Sequence, residues 1–116
     1  MAQRFTIPAA SKAGPGLALA LRVFQRDSFA CVYCGASGVA LAVDHVRPRA
    51  HFDAAAPAAQ VNAPANLVTA CNACNGAKGP QNLAGFAAML RGRGVAAKHI
   101  ETMFRSVRAA SRRALP

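Results

Sequence analysis

Two sets of residues in this chain have the types and the spacing to do chemistry. All four cysteines fall in two C-x-x-C turns, "CVYC" from Cys31 to Cys34 and "CNAC" from Cys71 to Cys74. One such turn aims two thiolates at a common point, and two turns complete the tetrahedron that Zn²⁺ takes. In a reducing compartment paired cysteines of this kind bind metal rather than form disulfides. A redox dithiol or an iron–sulfur cluster is the competing chemistry, but no thioredoxin-like strand–helix–strand context surrounds either pair. Four thiolates leave no open coordination position, so a zinc held by Cys31, Cys34, Cys71 and Cys74 is structural. The second set lies in and just after the 35–70 interval that separates the turns: Asp44-His45 at the end of an apolar run, Asn66 before Leu67, and Asn75 directly after Cys74. A neutral imidazole can take a proton from water. Taken singly, an Asp-His pair is a common surface hydrogen bond, and each asparagine a common turn or cap residue. Their nesting around two cysteine turns is what singles them out.

These residues need elements to position them. Leu17, Leu21 and Phe24 recur at helical spacing, with Arg22, Gln25 and Arg26 falling elsewhere, so the pattern predicts a short helix over 17–26. A turn and the first knuckle follow, with Gly35 and Gly38 allowing the backbone to bend back. Residues 40–46 suit a strand that Pro48 closes, and 66–70 a second strand that Asn66 begins. Residues 51–65, "HFDAAAPAAQVNAPA", read as a loop, because Pro57 and Pro64 break helices. "CNACNGAKG" starts a short helix that ends at Gly79. Leu83, Phe86, Ala87 and Leu90 mark another, stopped by Gly92 and Gly94. The last helix, over 95–113, puts Ile100, Met103, Phe104 and Val107 in one stripe and Lys98, Arg105, Arg108 and Arg112 with Glu101 on a different face.

Composition bounds the rest. A chain of 116 residues suggests one domain, and its 53% apolar content includes no Trp, so the core is modest. A structural zinc, contributing on the order of 10–16 kcal/mol in small domains, would decide whether such a chain folds. Fourteen Lys/Arg against four Asp/Glu leave a net charge of +10, which points to a polyanionic partner and makes the basic face of the last helix a phosphate-contact surface. No stretch reaches the ~18 apolar residues of a membrane span. The first sixteen residues, broken by Pro8 and Pro15, read as an irregular arm and not as a signal peptide. The expected location is the cytoplasm.

Together, "CVYCG", "DHVRP" and "NLVTACNACNGAKG" resemble the HNH endonucleases, in the subgroup whose ββα-metal site is braced by a four-cysteine zinc. The resemblance covers about residues 20–86. It implies an α+β fold: a small ββα-metal core with a two-knuckle zinc site and flanking helices. The domain organisation it suggests is a single HNH nuclease domain over 1–116, with the core at about 20–86, the arm at 1–16 and a basic helix at 94–113. By the same resemblance Asp44 and Asn75 are ligands of a catalytic Mg²⁺ or Mn²⁺, His45 is the general base, and Asn66 positions it. Lys78 matches the lysine of the family's Cys-Asn-x-x-Lys-Gly run. Arg47, Arg49 and Lys78 would flank the site and, with Arg105 and Arg108, hold the nucleic acid's phosphates.

One departure is the loop before Asn66, longer than in many relatives and lacking their glycine pair. Asn62 lies close enough in sequence to be the orienting residue instead. His51 and His99 read as ordinary surface or packing residues, with His51 close enough to the first strand in sequence to touch the site. The implied activity is metal-dependent cleavage of DNA, nicking or weakly specific, by a monomer or weak dimer. The competing reading is a non-catalytic zinc module that binds nucleic acid or a protein.

Overall fold

Residues 15–116 are described in the computed structural model, and a two-stranded antiparallel sheet lies at its centre. Strand β1 is Leu41–His45 and strand β2 is Leu67–Cys71, in a register that pairs Leu41 with Cys71 and His45 with Leu67. Every residue of β2 is buried, so its Leu-Val-Thr-Ala-Cys sequence runs through the interior without the alternation of a half-exposed strand.

Helix α1, Leu17–Arg26, occupies the span its periodicity predicts and buries Ala20, Val23 and Phe24. It packs against both strands. Its end departs from the expectation. Arg26 is buried, and its Nε and Nη2 bind the Asp27 carboxylate at 2.8 and 3.1 Å. The same guanidinium reaches the carbonyls of Leu67 (2.6 Å) and Pro64 (3.0 Å), while Asp27 Oδ2 accepts the Thr69 amide at 2.9 Å. This paired charge joins the end of α1 to β2, and each buried polar group in it has a partner, as burial demands.

The connection from β1 to β2 is not the unbroken loop expected over 51–65. It holds a 3-10 turn at Arg49–His51, the four-residue helix α2 at Ala58–Val61, and a second 3-10 turn at Pro64–Asn66. The two prolines that argued against helix instead start helical turns: Pro57 caps α2 and Pro64 takes the first position of the 3-10 turn. The first turn of a helix leaves its N–H groups unbonded anyway, so proline costs nothing there. Val61 is fully buried and anchors the segment. Asn66 belongs to this turn and does not begin β2.

After β2 come α3 (Asn72–Lys78), α4 (Leu83–Gly92) and α5 (Ala97–Arg112). Helix α3 stops where Gly79 takes a positive φ of 51°, a conformation that favours glycine. Asn82 caps α4 by accepting the Gly85 amide at 2.8 Å. Helix α5 buries Ile100, Met103, Val107 and Ala110 and packs on α4 and β2. Phe24, Leu41, Val68, Phe86, Ile100 and Met103 meet in one hydrophobic core. The architecture is the expected α+β arrangement, with the sheet and α3 at its centre. Residues 1–14 of the expected arm lie outside the described residues, and among those described no helix is long and apolar enough to cross a membrane.

Candidate functional site

The first cysteine turn is a tight knuckle. Cys31 donates its amide to the Ala36 carbonyl at 2.8 Å and accepts the Gly35 amide at 2.7 Å, with Gly35 at φ +81°. The second begins where β2 ends. Cys71 caps α3, its sulfur accepting the Cys74 amide at 3.4 Å. Strand and helix thereby deliver the two pairs to one point, and all four Sγ atoms lie within 4.8 Å of one another. The Cys34 and Cys71 sulfurs are 3.8 Å apart. A tetrahedron with Zn–S bonds of about 2.3 Å has S···S edges of about 3.8 Å, so the four thiols fit zinc.

Electrostatics divide the four thiols. A hydrogen bond from Cys74, against the opposing effect of burial, pulls the Cys31 thiol down to about 5. The bond that favours a Cys31 thiolate raises Cys74, and burial raises Cys34. Four sulfurs this close do not hold four negative charges by themselves; a dication offsets the repulsion.

The second site forms where β1 meets α3. Asp44 is buried, and its Oδ2 accepts two donors: the Tyr33 hydroxyl and the Lys78 ammonium, at 3.1 Å for the latter. Burial raises the Asp44 carboxyl, opposed by the Tyr33 hydrogen bond and the Lys78 charge. Burial, and then the Asp44 charge, also push the Tyr33 phenol up, which keeps it the donor. Lys78 is fully buried at the end of α3 and also donates to the His45 carbonyl at 2.9 Å. The expectation that it contacts phosphate is therefore corrected: its charge is directed internally, at the carboxylate and at the backbone of the neighbouring histidine. Nothing in the sequence marked this, because a lysine in the last helical turn reads equally as a solvated end charge.

Asn75 is half-buried and lies one turn before Lys78 on α3, so it shares the helix face that meets β1. Among the described residues neither its amide nor Asp44 Oδ1 makes a hydrogen bond. No fully buried side-chain oxygen lacks a partner, so Asp44 Oδ1 reaches solvent. A carboxylate oxygen and an amide oxygen on adjoining elements are hard donors that suit Mg²⁺ or Mn²⁺.

His45 follows Asp44 directly, ends β1 and is half-buried. Its Nε2 is 2.7 Å from Oδ1 of Asn62, the residue that closes α2. An amide oxygen can only accept, so in this contact the ring donates through its Nε2–H. The orienting partner is thus Asn62 and not Asn66. Asn66 acts on the backbone: its Oδ1 accepts the Arg47 amide at 2.9 Å, and its Nδ2 donates to the carbonyls of Arg47 (3.0 Å) and Val61 (2.9 Å). It fixes the chain just past His45. Two asparagines four residues apart in one loop could not be assigned by spacing alone.

The arginines divide in the same way. Arg49 donates to the Ala56 and Ala54 carbonyls at 2.8 and 3.0 Å, bracing the loop. Arg47 is exposed, lies 4.3 Å over the Phe52 ring and donates to the His51 carbonyl at 2.7 Å. Arg105 and Arg108 are exposed on α5, and the 3.9 Å pair between Arg105 and Glu101 is too open to water to hold either charge firmly. His51 and His99 are exposed. A cleft of about 680 Å³ between the first knuckle, α4 and α5 is lined by Cys34, Phe86 and Met103, and by none of Asp44, His45 and Asn75.

A short antiparallel strand pair running into a helix lies beside four converging cysteines that could hold a metal ion. The family model for HNH endonuclease matches residues 31–81, from the first of the four cysteines to just past α3. No curated protein and no solved structure matches the chain.

Proposed function

We propose that this protein is a metal-dependent DNA endonuclease that hydrolyses phosphodiester bonds, nicking or cutting with low specificity. The observation that carries the reading is the junction of β1 with α3. There a buried Asp44 keeps one oxygen open, an asparagine follows on the facing helix, and a histidine is held by its Nε2. When bound there, a Mg²⁺ or Mn²⁺ ion supplies positive charge for the scissile phosphate and the leaving oxygen.

The protein's own groups do the rest. Asp44 and Asn75 hold the ion. His45 takes a proton from water at Nδ1, a step worth roughly 10²–10⁴-fold in rate. Asn62 keeps the ring in the tautomer that exposes that lone pair, and Asn66 holds the backbone that carries the ring. Arg47, Arg105 and Arg108 offer exposed charge to the phosphates, so affinity falls steeply with added salt. The four thiolates hold a structural zinc that fixes both ends of the site. The HNH core over about 20–86 works with α5 as one unit, the helix adding basic surface. One such site cuts one strand at a time.

The test is supercoiled plasmid incubated with the zinc-loaded protein and Mg²⁺ or Mn²⁺. Nicked circles should appear with the wild type and drop by at least about a hundredfold in rate with His45→Ala. Equal cleavage by the two proteins would end the enzymatic reading and leave a zinc module that only binds.

A further inference from the structure

The two metal centres share a connection, and it runs through Tyr33. This residue sits inside the first knuckle, between Cys31 and Cys34. Its ring is buried edge-on against Phe86, with centroids 5.5 Å apart at 77°. Its hydroxyl leaves the knuckle and donates to Asp44 Oδ2, the oxygen that also receives the Lys78 ammonium. One oxygen of the carboxylate is therefore held twice, and the other not at all.

Resting on the nuclease reading, we propose that Tyr33 is a positioning residue that, with Lys78, restricts Asp44 to binding its metal ion through Oδ1 alone. A carboxylate with both oxygens free can turn and chelate. One whose Oδ2 is held cannot do so without breaking two hydrogen bonds. Mg²⁺ and similarly small ions accept single oxygens in a compact octahedron, whereas Ca²⁺ takes six to eight ligands and readily accepts both oxygens of a carboxylate. The hydroxyl thus favours the smaller ion. Because the zinc knuckle sets where Tyr33 lies, the structural centre also sets the geometry of the catalytic one. Outer contacts of this kind orient ligands in metal sites generally, and their loss costs about 10–100-fold in metal affinity or activity.

The experiment titrates Mn²⁺ and Ca²⁺ into zinc-loaded wild type, Tyr33→Phe and Asp44→Ala, reading bound Mn²⁺ by its electron paramagnetic resonance and Ca²⁺ by competition. Phenylalanine keeps the ring against Phe86 and removes only the oxygen. Tyr33→Phe should keep one zinc per chain and melt near the wild type. It should bind Mn²⁺ about tenfold more weakly and lose part of its preference for Mn²⁺ over Ca²⁺. Asp44→Ala should bind neither ion at this site. Wild-type Mn²⁺ affinity and selectivity in Tyr33→Phe, with binding lost in Asp44→Ala, would overturn the role of Tyr33 and leave the nuclease site standing. Unchanged binding in Asp44→Ala would overturn both. Loss of zinc or of the fold in Tyr33→Phe would also overturn the proposal, since the hydroxyl would then belong to the scaffold.

Discussion

The four-cysteine cluster and the β1–α3 junction are linked through Tyr33 and are built on opposite plans. The first uses four copies of one residue, with every sulfur directed inward at the others. The second uses one each of several types, leaves one carboxylate oxygen and one side-chain amide without a protein hydrogen bond, and surrounds them with groups whose own hydrogen bonds run to the protein. A structural centre is saturated by its own ligands, whereas a catalytic one must keep vacant positions and have its geometry imposed from outside. Damage should therefore differ in kind: loss of the fold at the first site, and loss of chemistry with the fold intact at the second.

The largest expected effect is on the cysteine side. Cys71→Ser, or zinc removal by a strong chelator, should unfold the protein, because the metal contributes on the order of 10 kcal/mol in comparable sites. Circular dichroism and zinc content measured together check this, and a Cys71→Ser variant that melts like the wild type would break the comparison. Next comes His45→Ala, expected to lower the cleavage rate by about 10²–10⁴-fold while zinc content and melting stay unchanged.

Lys78→Met tests where the two plans mix. It leaves Asp44 buried without its counter-charge, and removing one partner of such a pair costs about 3–5 kcal/mol, readable in denaturant unfolding. A lysine that only touched phosphate would show no such drop in stability. Asn62→Ala should slow cleavage about tenfold without altering Mn²⁺ affinity, since it frees the imidazole and leaves the ion's ligands alone. The smallest change is expected from Arg105→Gln with Arg108→Gln. Melting should not shift, and the slope of log affinity against log salt should shrink by about one for each phosphate that the variant no longer neutralises.

What could be read from the sequence follows the same division. The cysteine centre was legible because spacing alone dictates its geometry. The limits of α1 and the stop of α3 at Gly79 were legible because periodicity and a left-handed glycine are local signals. The supporting groups were not. Arg26 and Lys78 look like solvated charges in a basic chain, and only the tertiary fold turns them inward onto Asp27 and Asp44. Asn62 and Asn66 differ in role only because α2 ends at one and a 3-10 turn at the other. Pro57 and Pro64 mislead because proline opens a helical turn as readily as it breaks one. Asp44, His45 and Asn75 could be singled out from their motif, whereas the hydrogen bonds around them follow only from the tertiary fold.

The most direct test of the central claim is a crystal of the zinc-loaded protein soaked in Mn²⁺, with the ion located by its anomalous scattering. One Mn²⁺ bonded to Asp44 Oδ1 and to the Asn75 side-chain oxygen, beside the His45 ring, is the predicted result. An ion bound elsewhere, or an Asn75 amide turned away from Asp44, would contradict it.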